Sequence, residues 1–392
     1  DLYAARAFNV ALWSVLLLLV MLGRGAWPWA VSILLLTPQA WYVFAYFNGD
    51  AFPLFLSIAC ASLIASKNDA VGKYVQGGRI NTASLVFILA FGLLLVSKRN
   101  FLPLLPAFAL WLAVLHLRTR AWSLVFVIMG IGLVGASVQL GSAPSVARFA
   151  GQTIAATTGC LMALVGGASI LWASWKSSAG RKVLGRVALL VFGALLVAAP
   201  RIGWDLAVNG APLHKHQRMM AMADAHAGPG HRPSEKKLGI GLTLAEQRLP
   251  LYEVFAGKRH WLRTSAMSAF GVYGYMNAPA PAWTVVGLIL VTLLICGIAL
   301  RSVVRTSPDV GVSLCLLVLG ASLLVAMASL LHSWVGDYQP QGRYLLPILP
   351  LIALALAHSR SCLPRSAVRA LLLVATLLGI FSFAFTALPA LA

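Results

Sequence analysis

Charge is what this sequence has least of. Only 10% of its 392 residues are Asp, Glu, Lys or Arg, while 60% are hydrophobic. A soluble domain carries roughly 25% charged residues. No water-facing surface can be assembled from this mixture, so a soluble globular domain is excluded. Acids are scarcer still, 10 against 30 Lys and Arg, which leaves a formal net charge of +20. In a soluble chain that excess would suggest nucleic acid. Here the basic residues fall in short clusters between apolar runs, as they do in membrane proteins, and no RNP, zinc-finger or basic-zipper signature accompanies them.

Cysteine is also thin: five residues, widely spaced and mostly inside apolar runs, with no CxxC pair. That argues against a disulfide framework or a thiolate metal site and for small apolar side chains. There is no HExxH, no Gly-x-Ser-x-Gly, no Walker A loop and no CxxCH, so ATP hydrolysis within the chain is not expected. His214, His216, His226 and His231 lie near Asp224, but their spacing matches no standard metal site and suits a polar loop. The opening "DLYAARAFNV" lacks the charged start and small-residue cleavage site of a signal peptide. It also lacks an initiator Met, and the chain is expected to begin partway through a longer protein.

What is present is a series of apolar runs long enough to cross a bilayer, which takes about 20 residues. About twelve spans are predicted, near 7–23, 27–47, 51–66, 83–97, 101–117, 121–140, 157–175, 183–199, 282–300, 310–331, 343–358 and 369–389. The expected fold is therefore all-α and polytopic. It divides into N-terminal membrane helices over 1–199, one long extracytoplasmic loop over 200–281 and C-terminal membrane helices over 282–392. Alternate connections hold the basic clusters, among them Lys67, Lys73 and Arg79; Lys176, Arg181, Lys182 and Arg186; and Arg360, Arg365 and Arg369. Those connections are expected to face the cytoplasm. The long loop mixes Trp, Tyr and Phe with Lys, Arg and His in its second half, a pattern that suits an amphipathic helix at the outer interface.

Polar groups gather at the outer ends of the spans. "YFNGDAF" places Asp50 at the head of the third span, where an ordinary N-cap would also account for it. "SKRN" sets Lys98 and Arg99 in an outer turn, a plausible seat for a phosphate or for anionic headgroups. "PRIGWDLAVNG" brings Arg201 and Asp205 out of the membrane at a spacing that would pair them on a helix. The fourth feature, "LLHSWVGDYQPQGRYLLPILPLIALAL", crowds Asp337, Tyr338, Gln339 and Gln341 before Arg343 at the mouth of an apolar run. A guanidinium and the free N–H groups of a helix start would together make an anion site. A snorkelling arginine would explain Arg343 alone.

Four segments in order, "LTPQAWYVFAYFNGDAF", "SKRNFLPLLPAFALWL", "SAMSAFGVYGYMNAPAPAW" and "YQPQGRYLLPILPLIAL", resemble an uncharacterised bacterial family of predicted membrane proteins grouped with the GT-C glycosyltransferases. The likeness spans nearly the whole chain, and Gln341-Gly342-Arg343-Tyr344 followed by prolines is its most specific element. The resemblance implies a multi-pass protein of the bacterial inner membrane that transfers a sugar from a polyprenyl-phosphate donor to a glycan or lipid acceptor on the extracytoplasmic face. It implies a first outer loop, preceding Asp1, that carries an acidic general base or metal ligand. No cofactor is required by the motifs, although GT-C chemistry leaves room for a divalent metal ion.

On that reading Arg343, Lys98, Arg99 and Arg201 hold the donor phosphate. Asp50, with Asp337 behind it, takes the acceptor's proton. Tyr338, Gln341, Tyr273, His260 and Trp261 bind sugar or guide the prenyl chain. A flippase or transporter for a lipid-linked glycan is the alternative, but transporters place polar groups near the bilayer midplane, and these span interiors are almost free of charge. A non-catalytic membrane subunit is a third reading.

Overall fold

The structure, a computed structural model, describes residues 2–22, 25–46, 48–117, 119–141, 151–229, 232–238, 242–274 and 276–391. Its helices are α1 (Leu2–Leu22), α2 (Trp27–Val31), α3 (Pro38–Ala45), α4 (Ala51–Leu63), α5 (Ala70–Gln76), α6 (Thr82–Leu95), α7 (Leu104–His116), α8 (Ala121–Gly141) and α9 (Gly151–Trp175). They continue with α10 (Ser178–Asn209), α11 (Pro212–His226), α12 (Leu251–Phe255), α13 (Trp261–Gly271), α14 (Ala282–Thr306), α15 (Pro308–Val335), α16 (Ile348–Ser359) and α17 (Arg365–Ser382). A two-residue antiparallel ribbon, β1 (Val272–Tyr273) with β2 (Ala278–Pro279), is the exception to helix.

Among the described residues nine helices are long and apolar enough to cross a membrane. The chain is thus an all-α, multi-pass membrane protein. Three of the expected spans, 27–47, 51–66 and 83–97, fall on shorter apolar helices of 10–17 residues. The first of these is broken: α2 runs into a 3₁₀ turn over Ser32–Leu36, and α3 restarts at Pro38 with Thr37 as its N-cap. Pro38 cannot donate to a preceding carbonyl, so the break falls where the sequence puts the proline.

α16 is the central rod. Leu349 to Ala357 are all buried, and α2, α4, α14 and α15 pack around them. A helix apolar on every side is stable only when protein or lipid covers every side. Around this rod the carbonyls that end α4 find partners: Trp111 Nε1 donates to Ile64 O at 3.0 Å, and the His358 ring bonds Ala65 O at 2.7 Å. Helix-end carbonyls have no intrahelical donor and are costly to bury alone. α8 and α9 form the closest helix pair. A Cβ on Gly130 would lie 2.5 Å from Gly159 O, so only glycine permits this approach.

Chain reversal sorts the connections into two ends. At one end Arg360 Nη2 meets Asp69 Oδ1 at 2.8 Å, and Arg186 Nη1 donates to Tyr74 O at 2.8 Å. The basic residues Arg24, Arg118 and Arg148, and His231, lie outside the described residues. The other end carries the turns at 48–50, 96–103 and 336–347, roofed by α13 and the ribbon.

Three expectations change here. α10 continues through Pro200 to Asn209, so the loop begins near 210 rather than 200, and Arg201 sits inside a helix. α13 does not lie free at the interface. Its buried face, Trp261, Ser265, Ser268 and Gly271, docks on the turn at Gly342–Leu345, with α3 and α14 alongside. Small side chains on that face let the backbones approach. Finally, Cys160 is exposed on α9 rather than buried, and all five cysteines are free.

Candidate functional site

Arg343 lies in a 3₁₀ turn, Gly342–Leu345, and α16 starts only after Pro347. The expected N-terminal helix site at Arg343 is therefore displaced: Pro347 and Pro350 lack the N–H groups that would bond the carbonyls at 343 and 346, so regular helix starts only at Ile348, with Pro350 in its first turn. What positions Arg343 instead is Gly342. Its N–H donates to Ser268 Oγ at 2.9 Å, and a Cβ there would fall 2.0 Å from Ala269 N. The turn is pressed onto the α13 backbone with no room for a side chain. Thr37 Oγ1 fixes α13 from the other side by donating to Ala269 O at 2.5 Å.

Arg343 opens into a cavity of about 90 Å³ together with Gln39, Tyr42, Tyr46, Ser268 and Gln341. That is room for roughly three waters at about 30 Å³ each. Two polar atoms facing this region are buried without a partner, Arg343 Nε and Gln39 Oε1. Gln39 is itself buried. Buried polar atoms are paired in the great majority of cases, and each exception calls for an explanation. The guanidinium stands 5.4 Å from the Tyr344 ring centroid and makes no ion pair among the described residues. Tyr42 and Tyr46 stack with centroids 5.4 Å apart and planes within 8°, forming an aromatic wall. Gln39 and Tyr42 are spaced to share one face of α3, and Tyr46 follows just past its C-terminal end in extended conformation.

Lys98 approaches the same aromatic ring, at 5.8 Å from the Tyr344 centroid. Its ammonium is paired with Asp50 Oδ2 at 2.7 Å, and Asn100 Nδ2 lies 3.4 Å from Asp50 Oδ1. The Asp50 side chain is 0% exposed. It makes no capping bond to α4, so the N-cap explanation for Asp50 is corrected: its carboxylate turns to Lys98 instead. The Tyr344 hydroxyl donates to Gln339 Oε1, and Gln339 Nε2 donates to Asp337 Oδ2. One connected set thus runs from Asp50 through Lys98 and Tyr344 to Gln339 and Asp337, with Arg343 against the shared ring.

The other expected residues scatter. Arg99 is exposed and forms no part of the cavity wall. Arg201 is exposed on α10, and Asp205 pairs with Lys215 at 2.7 Å and accepts from Asn209 rather than bonding Arg201. Lys215 reaches back from α11, which the sequence spacing could not reveal. Trp261 is 2% exposed and donates from Nε1 to Ser333 Oγ at 3.2 Å, inside a small core under the roof. Tyr273 is fully buried, with its hydroxyl 2.7 Å from Ser382 Oγ. Both are structural anchors of the roof, not open surfaces. His260 is exposed in a left-handed conformation (φ 50) at the start of α13. Tyr338 donates to Arg259 O at 2.5 Å, and Asp337 is exposed. Tyr275 lies outside the described residues.

Reading by sequence missed Gln39, Tyr42, Tyr46, Ser268 and Tyr344, and also Asn9 and Arg6 behind them. Asn9 is buried and donates to Tyr46 O at 2.9 Å, and Arg6 stands 5.7 Å from the Tyr46 ring. Among the described residues no three His, Cys, Asp or Glu side chains converge as a metal site would need. The geometry defines a multi-pass membrane protein with a small cationic, aromatic-walled chamber at one end. Compared with protein families, curated proteins and solved structures, the chain finds no match.

Proposed function

We propose that the chamber at Arg343 receives the phosphate of a polyprenyl-phosphate sugar, and that the protein is a GT-C-type glycosyltransferase acting at the extracytoplasmic face of the bacterial inner membrane. The observation that carries the reading is a guanidinium with a buried, unpartnered Nε, facing a buried and equally unpartnered amide oxygen, Gln39 Oε1. A phosphate oxygen would satisfy the arginine. A sugar hydroxyl would satisfy the glutamine beside the Tyr42–Tyr46 wall.

In such a transfer the acceptor hydroxyl oxygen bonds to the anomeric carbon. The carbon–oxygen bond to phosphate breaks with its electron pair left on the phosphate oxygen, and the hydroxyl proton passes to a carboxylate. Arg343 stabilises the charge gathering on phosphate. Lys98, paired with Asp50 against the Tyr344 ring, supplies a second cation and fixes that ring. Asp337, exposed and bonded through one oxygen to Gln339, has its other oxygen open to a proton. Polar side chains of this region gather at the rim, since α16 below it is apolar from Ile348 to Ala357, and passage of a polar substrate along that stretch has no footholds.

The test is direct binding of polyprenyl phosphate to the purified protein in lipid nanodiscs. A charge-assisted hydrogen bond contributes about 1.5–3 kcal/mol, so Arg343→Ala should weaken binding at least about tenfold. Arg343→Lys should recover part of it. Equal affinities for wild type and Arg343→Ala would remove the phosphate role.

A further inference from the structure

A second cationic cavity lies at the opposite end of the bundle, independent of the Arg343 chamber. It has a volume of about 560 Å³ and is lined by Arg360, Arg365 and Arg369 together with Trp29, Ser32 and Leu372. That volume falls within the range of small-molecule sites, roughly 300–1,000 Å³.

The three arginines differ in what holds them. Arg360 is committed: Nη2 pairs with Asp69 Oδ1 at 2.8 Å, and Nη1 donates to Ala357 O at 2.6 Å. Arg365 and Arg369 are exposed, and no ion pair engages either of them among the described residues. They stand four residues apart on the first turns of α17, the spacing at which like charges on a helix repel. No acid occupies that first turn. The free N–H groups of an 18-residue helix add further positive potential at the same place. Among the described residues no ion pair relieves this concentration of charge, and it borders the cavity between α2 and α17.

The surroundings say which anion fits. α17 carries an exposed apolar strip, Leu373, Val374, Leu377 and Ile380, immediately below the arginines. Trp29 stands at the cavity wall, where an indole suits a membrane–water boundary. Charged and hydroxyl groups at the rim, with an apolar strip leading away from them, match a phosphodiester head above acyl chains. A soluble phosphate would make no use of the strip.

We propose that this cavity is a binding site for the headgroup of an anionic phospholipid. The phosphodiester bridges Arg365 and Arg369, and the acyl chains follow the outer face of α17; the Ser32 hydroxyl, which donates to Trp29 O at 2.8 Å, is left as an acceptor at the cavity wall. The bound lipid would tie α17 to the broken span at α2, the two elements that border the cavity.

The experiment is native mass spectrometry of the purified protein, with phosphatidylglycerol, phosphatidylcholine or inorganic phosphate added to delipidated samples. Wild type should retain phosphatidylglycerol at least fivefold better than phosphatidylcholine. R365Q/R369Q should lose that preference, while K182Q, an exposed lysine change at the same end, should keep it. Both arginines are exposed and unpaired, so the double variant should fold, and its elution and helical circular dichroism should match wild type. Undiminished phosphatidylglycerol selectivity in R365Q/R369Q would overturn the site. Inorganic phosphate displacing the lipid at millimolar concentration would overturn the lipid assignment in favour of a soluble phosphate.

Discussion

Replacing Asp50 by serine separates two jobs an acid can do at the head of a helix. A serine caps about as well as an aspartate, so if capping were its role the change would cost a few tenths of a kcal/mol at most. The structure gives the carboxylate to Lys98 at 2.7 Å with Asp50 fully buried. Two unit charges about 3 Å apart attract by roughly 5 kcal/mol at an effective dielectric constant of about 20. Desolvation offsets much of that, and the Lys98 side chain is 34% exposed, so water screens it further. A net coupling of about 2 kcal/mol remains.

Asp50→Ser should therefore destabilise by about 3 kcal/mol, since removing one partner strands the other. In a Lys98→Met background the same change should cost only about 1 kcal/mol. The cycle can be read from equilibrium unfolding in mixed detergent micelles followed by tryptophan fluorescence. Costs that add within about 0.5 kcal/mol, or an Asp50→Ser protein as stable as wild type, would refute the ion-pair argument.

Two further changes probe close backbone approaches. Gly342→Ala puts a methyl 2.0 Å from Ala269 N, so the turn must move off α13. Overpacking of this kind costs about 1–3 kcal/mol, and polyprenyl-phosphate binding should fall along with the melting temperature. A variant with unchanged melting and binding would show that the turn is not held there. Gly159→Leu should wedge α8 from α9, where an added Cβ would already lie 2.8 Å from Gly130 O. Cysteine cross-linking between the two helices would then lose yield, whereas full yield would mean the pair tolerates separation.

How far the sequence reached depends on the distance over which each feature is decided. Composition alone required a membrane protein, because burying or solvating residues that are 60% hydrophobic leaves no other option. The apolar runs located most helices for the same reason, and Pro38 and Pro347 marked where regular helix must restart. The motif around Arg343 was legible from its residue types as a polar, cationic patch at the mouth of an apolar run. Its partners were not. Tyr344 joins Lys98 to Arg343, two residues far apart in the chain that only the packing of the helices brings to one ring.

The sequence by itself determined the solvent, the helical class and the places where charge collects, since transfer free energy and hydrogen-bond satisfaction act residue by residue. Only the tertiary structure decided which charges are neutralised and which stand open. Asp50 turned from helix cap to ion-pair partner, Asp205 turned to Lys215, and Trp261 and Tyr273 turned inward as anchors. Pairing depends on which surfaces meet, and a one-dimensional pattern does not carry that information. The unpartnered Arg343 and the exposed Arg365 and Arg369 became visible only once every nearby acid had been assigned elsewhere.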